Sequence, residues 1–103
     1  MPTREHLIAA LQAHEPFNEH ETAMLARVLA FVQTQPDCFS RSLAIGHVTA
    51  SAWVVDPSLT QALLTHHAKL GLWLQPGGHC DGNPDVLASA LREVSEESGL
   101  TRL

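Results

Sequence analysis

The chain has 103 residues, of which 45% are hydrophobic and 17% are charged, and its formal net charge is -5. This composition is typical of a folded domain rather than of a disordered tail. Lys69 is the single lysine and the five arginines are scattered, so the clustered positive charge of a nucleic-acid groove is missing. We therefore expect no sequence-specific nucleic-acid partner, and we expect a phosphate-bearing partner to bind together with a divalent cation.

No apolar run reaches the roughly 18 residues that span a bilayer, and the first residues lack the pattern of a signal peptide. A cytoplasmic protein with no membrane partner is therefore expected. Cys38 and Cys80 do not have the C-x-x-C spacing of a zinc or redox site. This favours two free thiols over a disulfide.

Two amphipathic helices are predicted at the beginning of the chain. Thr3 is a candidate cap for the first, and Asn18 followed by Glu21 resembles a capping box at the start of the second. Pro16 and Pro36 would end them. We interpret residues 1–36 as a helical N-terminal extension.

A strand is predicted after these helices, where the hydrophobic pattern changes to a period of two. A second extended segment follows through Leu63 and His66, with a break at Gly71 and a short extended piece after it. Trp53 and Trp73 are expected in the core, as strand tryptophans usually are. The two alternating sets of the first strand are Val48, Ala50, Ala52 and Val54, and Thr49, Ser51, Trp53 and Val55.

The segment QPGGHCDGNP reads as a glycine-rich loop that leads into a third helix. Asn83 is a suitable N-cap, Pro84 suits the first helical position, and Gly99 is placed to end the helix. Apolar residues recur at helical spacing and predict the buried stripe. They are Leu87, Ala90, Leu91 and Val94.

Three glutamates, Glu93, Glu96 and Glu97, share one face of this helix, away from the apolar stripe. Like charges at these spacings destabilise a helix unless a cation lies among them. Mg²⁺ is suited to the position, because it prefers carboxylates together with the phosphates of a substrate. The alternative is an ordinary solvated acidic face.

These residues together resemble the signature of the Nudix hydrolase family, G-x5-E-x7-R-E-U-x-E-E-x-G-U, in which U is an aliphatic residue. The chain departs from it at one position, where Pro84 replaces the first glutamate and a carboxylate is lost. The residues that match in register are Gly78, Arg92, Glu93, Val94, Glu96, Glu97, Gly99 and Leu100.

The resemblance implies an α/β fold, an α/β/α sandwich around a mixed sheet. Residues 43–103 would form a partial Nudix domain, truncated after the Nudix helix and preceded by the two N-terminal helices. Because an open sheet edge is a liability, we expect a fragment of a longer domain, a truncated product, or a homodimer that completes the sheet.

The resemblance also implies the site. Glu96 and Glu97 would coordinate Mg²⁺ or Mn²⁺, with Glu93 as a further ligand or as a base for water. Gly78, or its neighbour in the glycine pair, would supply a main-chain carbonyl. Arg92 would hold the glutamates in place by ion pairing.

The implied reaction is hydrolysis of a diphosphate linkage in a nucleoside diphosphate derivative by metal-activated water. The alternative is a catalytically silent Nudix-like module that binds a nucleotide or a protein, which the loss of a carboxylate at Pro84 favours. A histidine metal site is not expected, because His66 and His67 are adjacent on a strand and point to opposite faces. His79, in the glycine segment, is a candidate for substrate contact.

Overall fold

The computed structural model describes residues 2–100 and contains two helices, then four short strands, then a third helix in chain order, so the predicted α/β class and the two N-terminal helices are confirmed. Over that range, none of the helices is both long enough and apolar enough to cross a membrane. The elements in chain order are α1 (Arg4–Ala13), α2 (Glu19–Thr34), β1 (Thr49–Ser51), β2 (Thr65–His67), β3 (Leu72–Leu74), β4 (Gly77–His79) and α3 (Val86–Ser98).

The chain divides into two compact units. The first runs to Val48 and adds Cys80–Asp85, and the second comprises Thr49–His79 and the chain from Val86 onwards. The predicted boundary between an extension ending at residue 36 and a domain starting at residue 43 stays a prediction.

The first unit is built on α1 and α2, which pack against each other. Asn18 caps α2 as predicted, because its side-chain oxygen accepts the backbone N–H of Glu21 at 2.9 Å. Arg4 joins the two helices through Nη1, which donates to the carbonyl oxygen of Val32 at 2.8 Å. Val32 is fully buried, so this bond ties α1 to the core of the unit.

Cys38 and Cys80 lie in the same core as fully buried thiols that are not joined in a disulfide, as predicted. Burial raises the pKa of the Cys38 thiol. The segments that carry the two cysteines run side by side, since the N–H of Gly82 donates to the carbonyl of Phe39 at 2.9 Å. A protonated, buried thiol of this kind packs as a small apolar side chain and is a poor nucleophile.

The second unit contains two antiparallel ribbons rather than the mixed sheet implied by the resemblance. β1 pairs with β4, and β2 pairs with β3 in a hairpin. The hairpin turn ends at Gly71, which takes the left-handed conformation with φ of 65°. Such a short turn returns the chain beside the preceding strand and can join only antiparallel strands.

Burial alternates along residues 48–55 as the period-two pattern predicts, with the even-numbered residues buried or half-buried and the odd-numbered residues exposed. The prediction that both tryptophans lie in the core is wrong, because Trp53 and Trp73 are each 66% exposed. Trp53 lies just beyond β1 and is one of the exposed odd-numbered residues of this segment. Trp73 lies opposite His66 in the hairpin, with ring centroids 4.9 Å apart.

Helix α3 packs on β1 and β4 with part of the predicted stripe, since Ala90 and Val94 are buried as predicted. Leu87 and Leu91 are 67% and 41% exposed, so the predicted stripe is wrong for these two leucines. The helix is turned so that Glu93, with its side chain 16% exposed, lies on the packed side. The buried residues of α3 are Ser89, Ala90 and Val94.

The glycine segment and the start of α3 also differ from prediction. Residues 77–79 form strand β4, so the loop is limited to residues 80–85, and α3 begins at Val86 rather than at Pro84. The side-chain oxygen of Asn83 accepts the N–H of Asp85, two residues further on, at 2.9 Å just before the helix. Gly99 ends the helix with φ of 78°, as predicted.

Candidate functional site

The carboxyl group of Glu93 lies directly against Gly78 of β4. A Cβ built on Gly78 would come within 2.6 Å of the carboxyl carbon of Glu93, which is closer than side chains can approach. Gly77 meets β1 in the same way, since a Cβ there would lie 2.6 Å from the Cβ of Ser51. Gly78 therefore allows α3 to approach β4 closely, and Gly77 allows β1 to do so.

The carbonyl groups of β4 alternate between the two sides of the strand. The N–H of Ala52 donates to the carbonyl of Pro76 at 2.9 Å, and the same register continues to Gly78. Because hydrogen-bonded and non-hydrogen-bonded pairs alternate in an antiparallel ladder, the Gly78 carbonyl belongs to the ladder with β1. The carbonyls of Gly77 and His79 face the other side. Gly78 and Gly77 were the two glycines predicted to supply a main-chain carbonyl to a metal ion. Of these, Gly77 has its carbonyl oxygen outside the ladder.

Arg92 links α3 to β4. Its Nη2 donates to the carbonyl oxygen of His79 at 2.7 Å and to Oε1 of Glu93 at 3.2 Å. Its Nε lies 3.8 Å from Oε1 of Glu96, whose side chain is 62% exposed. The contact with the half-buried Glu93 is therefore less screened by water than the contact with Glu96. Arg92 fixes one carboxylate and lies beside a second.

Glu97 is bound by a residue that the sequence did not single out. The hydroxyl of Thr65 on β2 lies 3.2 Å from Oε2 of Glu97 and 3.3 Å from the carbonyl oxygen of Leu74. Thr65 and Glu97 are 32 residues apart in the chain. The run around Thr65 indicates only a strand, so no local pattern could have revealed this contact.

The three glutamates occupy one helix but do not converge. Within residues 2–100, no three acidic, cysteine or histidine side chains are grouped so as to hold a metal ion. Arg92 binds Glu93 and lies beside Glu96, while Thr65 binds Glu97. The donors nevertheless have the chemistry of a hard cation site, since all three are carboxylates on long side chains and the Gly77 carbonyl lies outside the ladder. Mg²⁺ or Mn²⁺ fits this set of donors.

The remaining predicted positions precede this helix in the chain. Pro84 is half-buried before α3 and contributes no carboxylate to it. The His79 side chain is exposed, and its backbone carbonyl accepts from Arg92. His66 and His67 are exposed on β2, where alternation directs them to opposite faces.

The second unit also contains an open cavity of about 550 Å³, lined by parts of the loop from Val54 to Leu63 and by Leu100. The acidic residue in its lining, Asp56, forms hydrogen bonds within the loop, where its Oδ2 accepts the hydroxyl of Ser58 at 2.9 Å. That hydrogen bond, together with backbone N–H donors, holds the pKa of Asp56 below its usual range. Neither Arg92 nor any of the three glutamates lines this cavity.

Comparison with known proteins agrees with the signature. The family model for the NUDIX domain matches residues 46–103, which include β1 to β4, α3 and every predicted site residue. No curated protein matches the chain. Because the family match covers more than half of the sequence, the chain belongs to the Nudix hydrolase family.

Proposed function

We propose that this protein is a metal-dependent hydrolase that cleaves a diphosphate linkage in a nucleoside diphosphate derivative. The observation that carries the proposal is the contact of Glu93 with Gly78, with Glu96 and Glu97 on the same helix. This contact supports the proposal because Glu93 and Gly78 both belong to the family signature. The chain has only six lysine and arginine residues and a net charge of -5, which agrees with phosphate binding through a cation.

Mg²⁺ or Mn²⁺ would be held by the carboxylates of Glu96 and Glu97 and by a carbonyl of the glycine pair, Gly77 or Gly78, with Glu93 as a further ligand or as a base for water. Water molecules and the substrate's phosphates would complete the coordination shell. The bound cation would neutralise the charge that develops on the phosphoryl oxygens and would lower the pKa of a coordinated water molecule.

The protein's own residues would orient these groups. Arg92, anchored on the His79 carbonyl, restrains Oε1 of Glu93. In the role of base, the Glu93 carboxylate would accept a proton from the attacking water. Its side chain is 16% exposed against 62% for Glu96, so Glu93 is the less hydrated base of these two.

A catalytically silent module that binds a nucleotide or a protein is the second candidate. Two observations favour it: Pro84 replaces a carboxylate of the signature, and the three glutamates do not converge on one point among the described residues. A silent module would keep the phosphate-binding surface and lose turnover.

A turnover assay run beside calorimetric titration separates the two candidates. Nucleotide sugars, dinucleoside polyphosphates and nucleoside triphosphates would be offered with Mg²⁺ and with Mn²⁺, and released phosphate-containing products would be measured. We expect metal-dependent turnover of at least one class. Saturable binding of a nucleotide sugar without turnover of any class would instead support the silent module.

A small-molecule substrate, a cytoplasmic location and a homodimer are further proposals for this protein. Size-exclusion chromatography with light scattering measures the oligomeric state directly. A mass of one chain at all concentrations would exclude the homodimer.

A further inference from the structure

Thr65 lies outside the family signature but contacts one of the signature glutamates, Glu97, through a side-chain hydrogen bond. It is half-buried at the start of β2, and its hydroxyl lies 3.2 Å from Oε2 of Glu97. Glu97 is exposed near the end of α3, where a glutamate side chain would otherwise sample several rotamers. The contact therefore restrains an otherwise mobile carboxylate.

The hydroxyl of Thr65 has two acceptors and only one proton. Besides Glu97, the carbonyl oxygen of Leu74, the cross-strand partner of Thr65, lies 3.3 Å away. A hydroxyl donates to one acceptor at a time, and a carboxylate is a stronger acceptor than a neutral carbonyl. The proton is therefore directed to Glu97, and the Leu74 carbonyl is the alternative when Glu97 moves.

We propose that Thr65 is a positioning residue for Glu97 in cation binding, an inference that rests on the proposed function. The hydroxyl holds Oε2 and leaves Oε1 of Glu97 for the cation. Holding the carboxylate in advance reduces the rotamer freedom that is lost when the cation binds. Thr65 acts through Glu97 and is not itself placed in contact with substrate.

The test uses Mn²⁺ alone, with free Mn²⁺ followed by electron paramagnetic resonance during titration of the protein. Thr65→Val keeps the shape and the strand preference of the residue but removes the hydroxyl. Thr65→Ser retains the hydroxyl. Thr60→Val is the matched control, because the Thr60 hydroxyl bonds Ser58 in the preceding loop. Circular dichroism verifies that each variant is folded.

We expect Thr65→Val to weaken Mn²⁺ binding by roughly threefold to tenfold, the effect of losing one hydrogen bond. Thr65→Ser and Thr60→Val should stay within about twofold of the unmodified protein. In a Glu97→Gln background, Thr65→Val should have no further effect, because the carboxylate that it positions is gone.

Unchanged Mn²⁺ affinity in Thr65→Val, or an equal loss in the Glu97→Gln background, would overturn the role of Thr65 while leaving the metal site intact. A protein in which Glu97→Gln binds Mn²⁺ as well as the unmodified chain would contradict the proposed function itself, and the role of Thr65 would fall with it. The two failures are therefore distinguishable in one set of titrations.

Discussion

The Glu93 carboxyl group is in contact with the Gly78 backbone. A Cβ atom on residue 78 would lie only 2.6 Å from the carboxyl carbon of Glu93. This contact explains why α3 presents a glutamate rather than Leu87 to the β1–β4 ribbon. Gly78 is not among the residues with positive φ, so its backbone conformation would accept a side chain. The contact with Glu93 is therefore what limits the size of residue 78.

We predict that Gly78→Ala lowers the free energy of unfolding by about 1 kcal/mol, because the added methyl group displaces the flexible end of the Glu93 side chain from its hydrogen bond with Arg92. Urea denaturation measures the change. In a Glu93→Ala background the same substitution should cost less than about 0.5 kcal/mol, since the displaced atoms are absent. Equal losses in both backgrounds would show that another contact limits the size of residue 78.

Arg92→Ala is predicted to lower the free energy of unfolding by about 1 kcal/mol, because the side chain loses its bonds to the His79 carbonyl and to Glu93. Arg92→Lys should recover part of this, since an ammonium group cannot reproduce the geometry of the guanidinium. Arg27→Ala, on the exposed side of α2, is the control and should change stability by less than about 0.5 kcal/mol. A loss from Arg92→Ala no larger than that of the control would remove Arg92 as a link between helix and strand.

The family and the helix that bears the glutamates were predictable, because the signature is contiguous and helical spacing is local. The orientation of α3 was not. Hydrophobic periodicity places Leu87 and Leu91 inside, whereas the space left by Gly78 admits Glu93 to the packed side. The contact between Thr65 and Glu97 was equally inaccessible, since it joins a strand and a helix that only the tertiary fold brings together.

Ser89 is predicted to be a position where alanine stabilises the protein. It is 1% exposed, and its hydroxyl has no hydrogen-bond partner among the described residues. Ser89→Ala should raise the free energy of unfolding by about 1 kcal/mol, because it removes a buried unsatisfied group and increases helix propensity. Ser95→Ala, on the same helix, is the control for propensity alone. Destabilisation by Ser89→Ala would mean that the hydroxyl has a partner in solution.

Glu21 is predicted to make the stability of the N-terminal helices depend on acid pH. The hydrogen bond from His14, at 2.6 Å, and then the N–H of Phe17 hold the pKa of Glu21 below its ordinary value of 4.5. The unfolded chain binds this proton at higher pH than the folded chain does, so the stabilisation is present above pH 4.5 and is lost as pH falls through the lowered pKa.

Nuclear magnetic resonance titration of the Glu21 carboxyl group measures this effect. We expect a midpoint below 4.5 that rises in His14→Ala, and a stability difference between the unmodified protein and Glu21→Gln that disappears in acid. A midpoint unaffected by His14→Ala would assign the lowered pKa to another cause.

The most direct test of the account is the rate of diphosphate hydrolysis in the presence of Mg²⁺, with and without a chelator, for the unmodified protein, Glu97→Gln and the exposed control Glu19→Gln. We predict turnover that is abolished by the chelator, reduced at least about 100-fold by Glu97→Gln and unchanged by Glu19→Gln, since in the proposed reaction the Glu97 carboxylate would hold the cation that stabilises the phosphoryl group. Hydrolysis that persists with the chelator, or that survives Glu97→Gln unchanged, would contradict the proposal that the glutamates of α3 form the reaction centre.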